Sequence, residues 1–276
     1  MTINSAPADL HIHTNYSDGY HTPQEIIEKV KSLGLRAIAI TDHDNVMAIR
    51  EAKEFGKSAG VEVLSGIELS VSYKNYDLHL LGYCFDETNA DLVSSLKLFN
   101  EERTKRAEKI VQKLAKLGMP ISFNAVLEKA GHGTVGRPHI ANVLIEDQFV
   151  YSFQEAFNRY LGTGKPANVD KYKLKIDDAI RLIKNAGGIC SVAHPGIQLQ
   201  NDDLMQLIKN GVQGIEVIHP KHSQEATHYY RKLAEENHLL ETGGSDFHGG
   251  HKGSETLGKY NIPYFDIIKM KEVCGI

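Results

Sequence analysis

The ten residues from Asp9 to Asp18, DLHIHTNYSD, constrain this chain more than any other stretch. They read as a short strand running out into a polar turn. Side chains alternate faces along a strand, so His11 and His13 project to one side while Leu10 and Ile12 point into apolar packing on the other. Two imidazoles on one face at a strand's end, followed by the carboxylate of Asp18, make a first-row metal site. Taken alone, His-x-His reads equally as a solvent-facing pair on an edge strand. The rest of the chain has to decide between the two.

The same pattern, an apolar run closed by a polar cluster, recurs along the sequence. Thr22-Pro23 offers an N-cap and a proline at the first helical position, Ile26, Ile27, Val30 and Leu33 form a helical stripe, and Gly34 ends it. AIAIT, Ala37 to Thr41, reads as a buried parallel strand that terminates in Asp42-His43-Asp44. A helix from about Val46 to Ala59 stops at Gly60 and leads to VEVLSGIELS with Glu68, then to a strand around Tyr76 to Tyr83 with His79. Later, helices near 176–185, 202–210 and 224–237 lead to GGICSVAHPG with His194, to VQGIEVIHP, and to HLLETGGSDFHG with Asp246 and His248. This order predicts a parallel sheet with helices outside and polar residues gathered where strands finish. Asp42 and Asp44 read either as acceptors that orient His43 or as a charge pair at a helix N-terminus.

Residues 90–170 have a different character. A long charged helix, LVSSLKLFNEERTKRAEKIVQKLAKLG, is followed by NAVLEKAG, GRPHIANVLIEDQ and AFNRYLGTGKPA. The expectation is a barrel built from residues 1–89 and 171–276, with 90–170 as a helical insertion over its mouth. Net charge is −4 with histidines neutral, which argues against an extended nucleic-acid surface. The histidine count, 14, is the unusual one, and histidine is the commonest metal ligand. Cys84, Cys190 and Cys274 are too few and too scattered for a disulfide framework or zinc ribbon. No apolar run approaches a membrane span and MTINSAPADL has no signal-peptide character, so the expected location is the cytoplasm.

A single histidine after a strand is usually structural. That reading fails when histidines and carboxylates recur at the same end of successive strands, because burying so many unpaired polar groups without a cation is prohibitively costly. With DLHIHT…SDG, ITDHDN, GIELS, DLHLLGY, AHPG and GSDFHG present in order, the sequence resembles the PHP superfamily, named for its polymerase and histidinol phosphatase members. GRPHIA and the later IEV…KHS resemble its branch of 3′,5′-nucleoside bisphosphate phosphatases and 5′→3′ exoribonucleases. The resemblance implies a distorted (β/α)7-type barrel and three divalent metal ions. His11, His13, Glu68 and Asp246 would hold the first, Glu68, His79 and His194 the second, and Asp18, His43 and His248 the third. Mixed imidazole and carboxylate ligation suits manganese or iron, with zinc as an alternative.

The resemblance also implies hydrolysis of a phosphate monoester, with a hydroxide held by Glu68, His11, His13, His79, His194 and Asp246 as nucleophile. The expected partner is a small phosphorylated substrate: a nucleoside 3′,5′-bisphosphate losing its 3′-phosphate, or the 5′ end of short RNA. Arg137, beside Pro138 at a predicted helix start, is the first candidate to clamp a phosphate. His139, His222 and Lys165 are further candidates. HPG is followed by Ile197, where that branch commonly carries an arginine, so one phosphate contact is expected to be missing. Two other readings stay open: a phosphomonoesterase on a smaller substrate of the histidinol-phosphate kind, and a non-catalytic module stabilised by metal.

Overall fold

Strands β1 (Pro7–Ile12), β2 (Ala37–Ile40), β3 (Glu62–Tyr73), β4 (Tyr76–Tyr83), β6 (Ile189–Val192), β7 (Gly214–Ile218), β8 (Leu240–Gly243) and β9 (Ile262–Pro263) form one sheet. Their order is β8-β7-β6-β4-β3-β2-β1-β9, and the short β5 (Leu174–Lys175) pairs with β3 at its side. The computed structural model describes residues 5–131, 133–170, 172, 174–196, 199–249 and 256–276. The sheet curls until its ends nearly meet. Beyond β8, Phe247 bridges to Ile12 of β1, with His13 N donating to Phe247 O at 2.9 Å and Phe247 N donating to His11 O at 3.3 Å. Gly244 permits that approach, because a Cβ there would run into the backbone nitrogen of His11.

The sheet is mixed, not parallel as the strand–helix rhythm predicts. β4 runs antiparallel to both β3 and β6, and β9 antiparallel to β1. The cause is local. Tyr73 pairs directly with Tyr76, so only Lys74 and Asn75 connect β3 to β4, and Lys74 takes a left-handed φ of 50°. A two-residue connection forces a hairpin, whereas parallel neighbours need a long crossover. The remaining neighbours β1–β2, β2–β3, β6–β7 and β7–β8 are parallel.

Helices α1 (Pro23–Ser32), α2 (Met47–Ala59), α7 (Ile176–Asn185), α8 (Asn201–Lys209), α9 (Gln224–Glu236) and α10 (Tyr264–Cys274) accompany the strands. α1 starts as its sequence predicts: the Thr22 hydroxyl accepts from Glu25 N, and Glu25 in turn accepts from Thr22 N. Its buried face, Ile26, Ile27 and Val30, packs with Ile38 and Ile40 of β2. Every residue of β2 is buried, and each such isoleucine contributes on the order of 1.5–3 kcal/mol of burial.

Between β4 and β5 come α3 (Ala90–Lys116), α4 (Phe123–Ala130), α5 (Arg137–Glu146), α6 (Phe153–Ala156) and a π-helical turn, Phe157–Leu161. α3 serves two cores. Leu92, Leu96 and Phe99 join the barrel cluster with Leu69 and Ile180, while Ala107, Ile110 and Leu114 join a separate cluster with Val126, Ile140 and Leu144. This change of partner explains why its apolar residues fall on no single stripe. Arg103 and Arg106 sit where one core gives way to the other. Among the described residues no helix is long and apolar enough to cross a membrane.

Candidate metal centre

The site forms where strands end. His11 and His13 leave β1 on one face and are fully buried. Glu68 lies in β3 opposite Leu81, and His79 of β4 lies opposite Ser70, so the hairpin brings both side chains to the same region. His43 follows β2 and bridges to Glu68, His194 follows β6, and Asp246 and His248 follow β8. Asp44, His194 and Asp246 have positive φ values of 50°, 25° and 49°. Such conformations are costly for residues with side chains and concentrate at functional sites.

All nine residues predicted as ligands meet in this region. Glu68 is the hub: its Oε2 lies 3.3 Å from His11 Nε2, 3.2 Å from His13 Nε2 and 3.1 Å from His43 Nδ1. Its Oε1 lies 2.7 Å from His79 Nδ1 and 3.0 Å from His194 Nε2. Asp246 Oδ1 is 3.5 Å from His11 Nε2 and 3.4 Å from His13 Nε2. Asp18 Oδ1 is 3.3 Å from His248 Nε2 and 3.9 Å from both His43 Nε2 and His13 Nδ1. Donor atoms bound at about 2.0–2.2 Å to one ion lie about 3–3.5 Å from each other, the spacing most of these pairs keep.

The chemistry of the donors fits a metal cage. His11 Nε2, His13 Nε2, Asp18 Oδ1, His43 Nδ1, Glu68 Oε2 and His79 Nδ1 are buried and make no well-formed hydrogen bond. Buried polar atoms without partners are rare and cost about 1–3 kcal/mol each. Finding them converged, and of ligand type, points to cations as their common partner. Four sets of ligand atoms lie close enough to share an ion: His11, His13, Glu68 and Asp246; His13, Asp18, His43 and His248; His43, Glu68 and His79; and His11, Glu216 and His219.

Without cations the cage must balance its own charge. Burial pushes the Glu68 carboxyl up, but the imidazoles of His79, His43 and His11 hold it well below the usual range. Asp18 and Asp246 are likewise held low against burial, chiefly by His248 and His43 in one case and by His11 in the other. Burial depresses His13, yet the close Asp246 and Glu68 carboxylates raise it to about 10, and against burial Glu216 and Glu68 raise His11. His43, where burial dominates, falls to about 3. Protons occupy places where metal would bind.

Several residues that support the site have other roles than their sequence suggests, or none that was foreseen. Asp42 accepts from Thr14 N at 2.7 Å, Thr14 Oγ1 at 2.6 Å and Ser17 Oγ at 2.5 Å, so it ties down the turn that carries Asp18. Asp44 accepts from Ser70 N at 2.8 Å and from Arg103 Nε at 2.9 Å. These bonds go to the turn carrying Asp18, to β3 and to α3, and none of them is to the His43 ring. Glu216 and His219 were not anticipated. Glu216 accepts from His11 Nδ1 at 2.8 Å and from His194 N at 2.7 Å, and His219 Nε2 stands 3.3 Å from Asp246 Oδ2. Their signal was present: a lone glutamate inside the apolar run GIEVI, and a histidine at its end.

Facing the cage is a cavity of about 170 Å³, lined by Asp18, His43 and His79 on the barrel side and by Arg103 and Arg106 of α3 and Arg137 of α5. Arg137, the first residue of α5, donates to Leu161 O at 3.0 Å and stacks over the Phe157 ring at 5.4 Å. Burial lowers its pKa, and burial with the neighbouring Arg137 and Arg103 lowers that of Arg106 to about 10. His139 is buried, and its Nδ1 accepts from Gly136 N at 3.0 Å, which makes it a cap for α5. His222 bonds Val217 O through Nδ1 at 3.1 Å and packs on Tyr230, while its buried Nε2 makes no hydrogen bond. Lys165 is exposed in the loop after the π-helical turn and does not line the cavity. Ile197 lies outside the described residues.

Comparison with known proteins agrees with this geometry. The PHP domain model matches residues 9–241. The chain is 31% identical over 259 residues to the 3′,5′-nucleoside bisphosphate phosphatase of Chromobacterium violaceum, covering 92% of this chain and 91% of that one. It is 33% identical over 245 residues to the 5′-3′ exoribonuclease of Haemophilus influenzae, with 87% and 89% covered. A solved structure from Bifidobacterium adolescentis, described as a metal-dependent phosphoesterase, superposes with a TM-score of 0.90 at 28% identity, covering 96% of both chains. By motif order, sheet topology and clustered ligands together, the chain belongs to the PHP family and is a metal-dependent hydrolase of phosphate esters.

Proposed function

We propose that the protein acts in the cytoplasm with three divalent ions, manganese or iron with zinc as an alternative. We take its substrate to be a nucleoside 3′,5′-bisphosphate, which loses its 3′-phosphate, or short RNA attacked at its 5′ end. The observation that carries the reading is how Glu68 divides its two oxygens. One faces His11 and His13, and the other faces His79 and His194, as a bridging carboxylate requires. His11, His13, Glu68 and Asp246 are assigned to the first ion, Glu68, His79 and His194 to the second, and Asp18, His43 and His248 to the third. His43 presents Nδ1 to Glu68 Oε2, the oxygen that also faces His11 and His13, and Nε2 to Asp18, and so stands between the first and third sets.

Bound divalent ions lower the pKa of coordinated water to about 7 and polarise phosphate oxygens. The chain's own part is to hold and select. Glu68, Asp246 and Asp18 leave a local excess of positive charge when three dications are present, which favours an anionic substrate. Arg137 is braced from behind by Leu161 O and Phe157, a posture suited to a fixed phosphate contact. Arg106, whose Nε donates to Val169 O at 2.6 Å, adds a second guanidinium to the same wall. Two partly desolvated cations that repel each other are relieved by an anion between them and the metals. The names of the bisphosphate phosphatase and exoribonuclease relatives support a substrate with more than one phosphate. The domain reading stays as proposed from sequence, with 90–170 as the cover.

The test is a substrate panel with added manganese: nucleoside 3′,5′-bisphosphates, the 3′- and 5′-monophosphates, short 5′-phosphorylated RNA and histidinol phosphate. The proposal requires the 3′-phosphate to leave fastest, in kcat/KM, when a 5′-phosphate is also present. Equal rates on bisphosphate and simple monophosphates would overturn it.

A further inference from the structure

We infer that Glu216 is a positioning residue that fixes two metal-ligating histidines at once, turning Nε2 of His11 into the cage and holding the backbone of His194. Glu216 lies in the middle of β7, fully buried, between Ile215 and Val217. Alternation along the strand sends those two neighbours into the apolar core and Glu216 to the opposite face, the barrel interior. A buried carboxylate is tolerated only when its oxygens are satisfied. Here one oxygen accepts from His11 Nδ1 at 2.8 Å and the other from His194 N at 2.7 Å.

The consequence for His11 follows from hydrogen-bond polarity. A carboxylate only accepts, so Nδ1 must carry the hydrogen, and in the neutral ring that binds metal Nε2 keeps its lone pair. That Nε2 faces Glu68 Oε2 at 3.3 Å and Asp246 Oδ1 at 3.5 Å, where the first ion is assigned. The consequence for His194 is conformational. Its φ of 25° is strained for a residue with a side chain, and its amide is anchored by Glu216 while its Nε2 points at Glu68 Oε1. One carboxylate on β7 therefore governs a ligand from β1 and a ligand following β6, which belong to different ion sets.

Glutamine at this position separates positioning from packing. Gln has the same shape but one acceptor and one donor group. The His194 amide can only donate, so the Gln oxygen must stay with it, and the Gln NH2 is then left facing His11 Nδ1. Nδ1 must become the acceptor, which moves the hydrogen to Nε2, the nitrogen meant for metal. Glu216→Gln is expected to keep the fold and to lose affinity at the first ion site by about 10- to 100-fold, the usual effect of removing a partner that orients a ligand.

The experiment uses zinc as a diamagnetic probe on the full chain. Long-range proton–nitrogen NMR of the zinc-loaded wild type should show His11 protonated at Nδ1 and not at Nε2. Zinc affinity, measured by chelator competition, should fall by about 10- to 100-fold in Glu216→Gln while the circular-dichroism spectrum of the variant keeps the wild-type fold. Wild-type His11 protonated at Nε2, or a folded Glu216→Gln with unchanged affinity, would overturn the inference; the wild-type spectrum decides alone if the variant does not fold. The inference rests on the cage reading, and a wild type that takes up no zinc would overturn both, whereas unchanged affinity in the variant overturns only the role of Glu216.

Discussion

The floor and the roof of this site are built on different principles. On the barrel side, His11 and His13 at the end of β1 and Glu68 in β3 are buried, and their positions follow from backbone pairing through the intervening β2 and from carboxylates such as Glu216 and Asp42. On the cover side, Arg106 and Arg137 reach in from helices with an apolar core of their own and are held by single backbone carbonyls, Val169 O and Leu161 O. Arg103 joins the two, pairing with Asp44 and donating to Ser70 Oγ at 2.9 Å. On the proposed reading, one half holds ions rigidly and the other meets the substrate. Changes to the floor should remove the chemistry, and changes to the roof should alter which substrates use it.

The sharpest break comes from the floor. His11→Ala or Asp246→Ala removes a donor from the first set, and activity should fall by more than the roughly 100-fold that losing an outer partner costs, together with bound metal. Metal content by mass spectrometry and kcat/KM on one preparation check this; full activity in either variant would count against the floor.

Acid should act on the same half. In the metal-free chain His13 titrates at about 10 and His11 is also raised, so both carry protons at neutral pH that metal must displace. Affinity should rise with pH, about tenfold per unit for each proton released. The metal-free fold should show the opposite trend: a raised imidazole stabilises fully below its unfolded value of about 6.5 and ceases to do so as pH climbs through about 10. Calorimetry in buffers of different ionisation enthalpy would count the protons, and zero release between pH 7 and 8 would contradict these assignments.

The roof should respond differently. Arg137→Ala removes a charge-assisted contact of about 1.5–3 kcal/mol, so kcat/KM on a bisphosphate should drop about 10- to 100-fold with metal content unchanged. Lost metal in that variant would erase the distinction between the halves. Lys165→Ala, at an exposed position off the cavity, should change the rate by no more than about twofold. A larger effect would extend the roof to the loop after the π-helical turn.

The floor was legible in the sequence because period-2 alternation and helix caps are local signals. DLHIHT places His11 and His13 together, and Thr22-Pro23 and Gly60 mark helix ends that the fold keeps. What escaped depends on tertiary contact. The direction of β4 turns on a two-residue connection, Lys74-Asn75, which carries neither glycine nor proline to mark it as a turn. Arg103 and Arg106 look like ordinary charges of a solvated helix until α3 is seen to pass from one core to another. Glu216 announces itself as a charge within GIEVI, but its partners lie 205 and 22 residues away, on strands whose order no local pattern fixes. His139, a substrate candidate from its neighbours in sequence, has a ring whose Nδ1 caps α5, a contact that no local pattern shows.

The most direct trial of the whole account is a count of ions per chain in wild type and in Glu68→Gln, by mass spectrometry of protein equilibrated with manganese. The three proposed sets predict three per wild-type chain, and a bridging Glu68 predicts the loss of at least two in the variant, because both its oxygens face ligand sets. One ion or none in the wild type, or an unchanged count in Glu68→Gln, would contradict it.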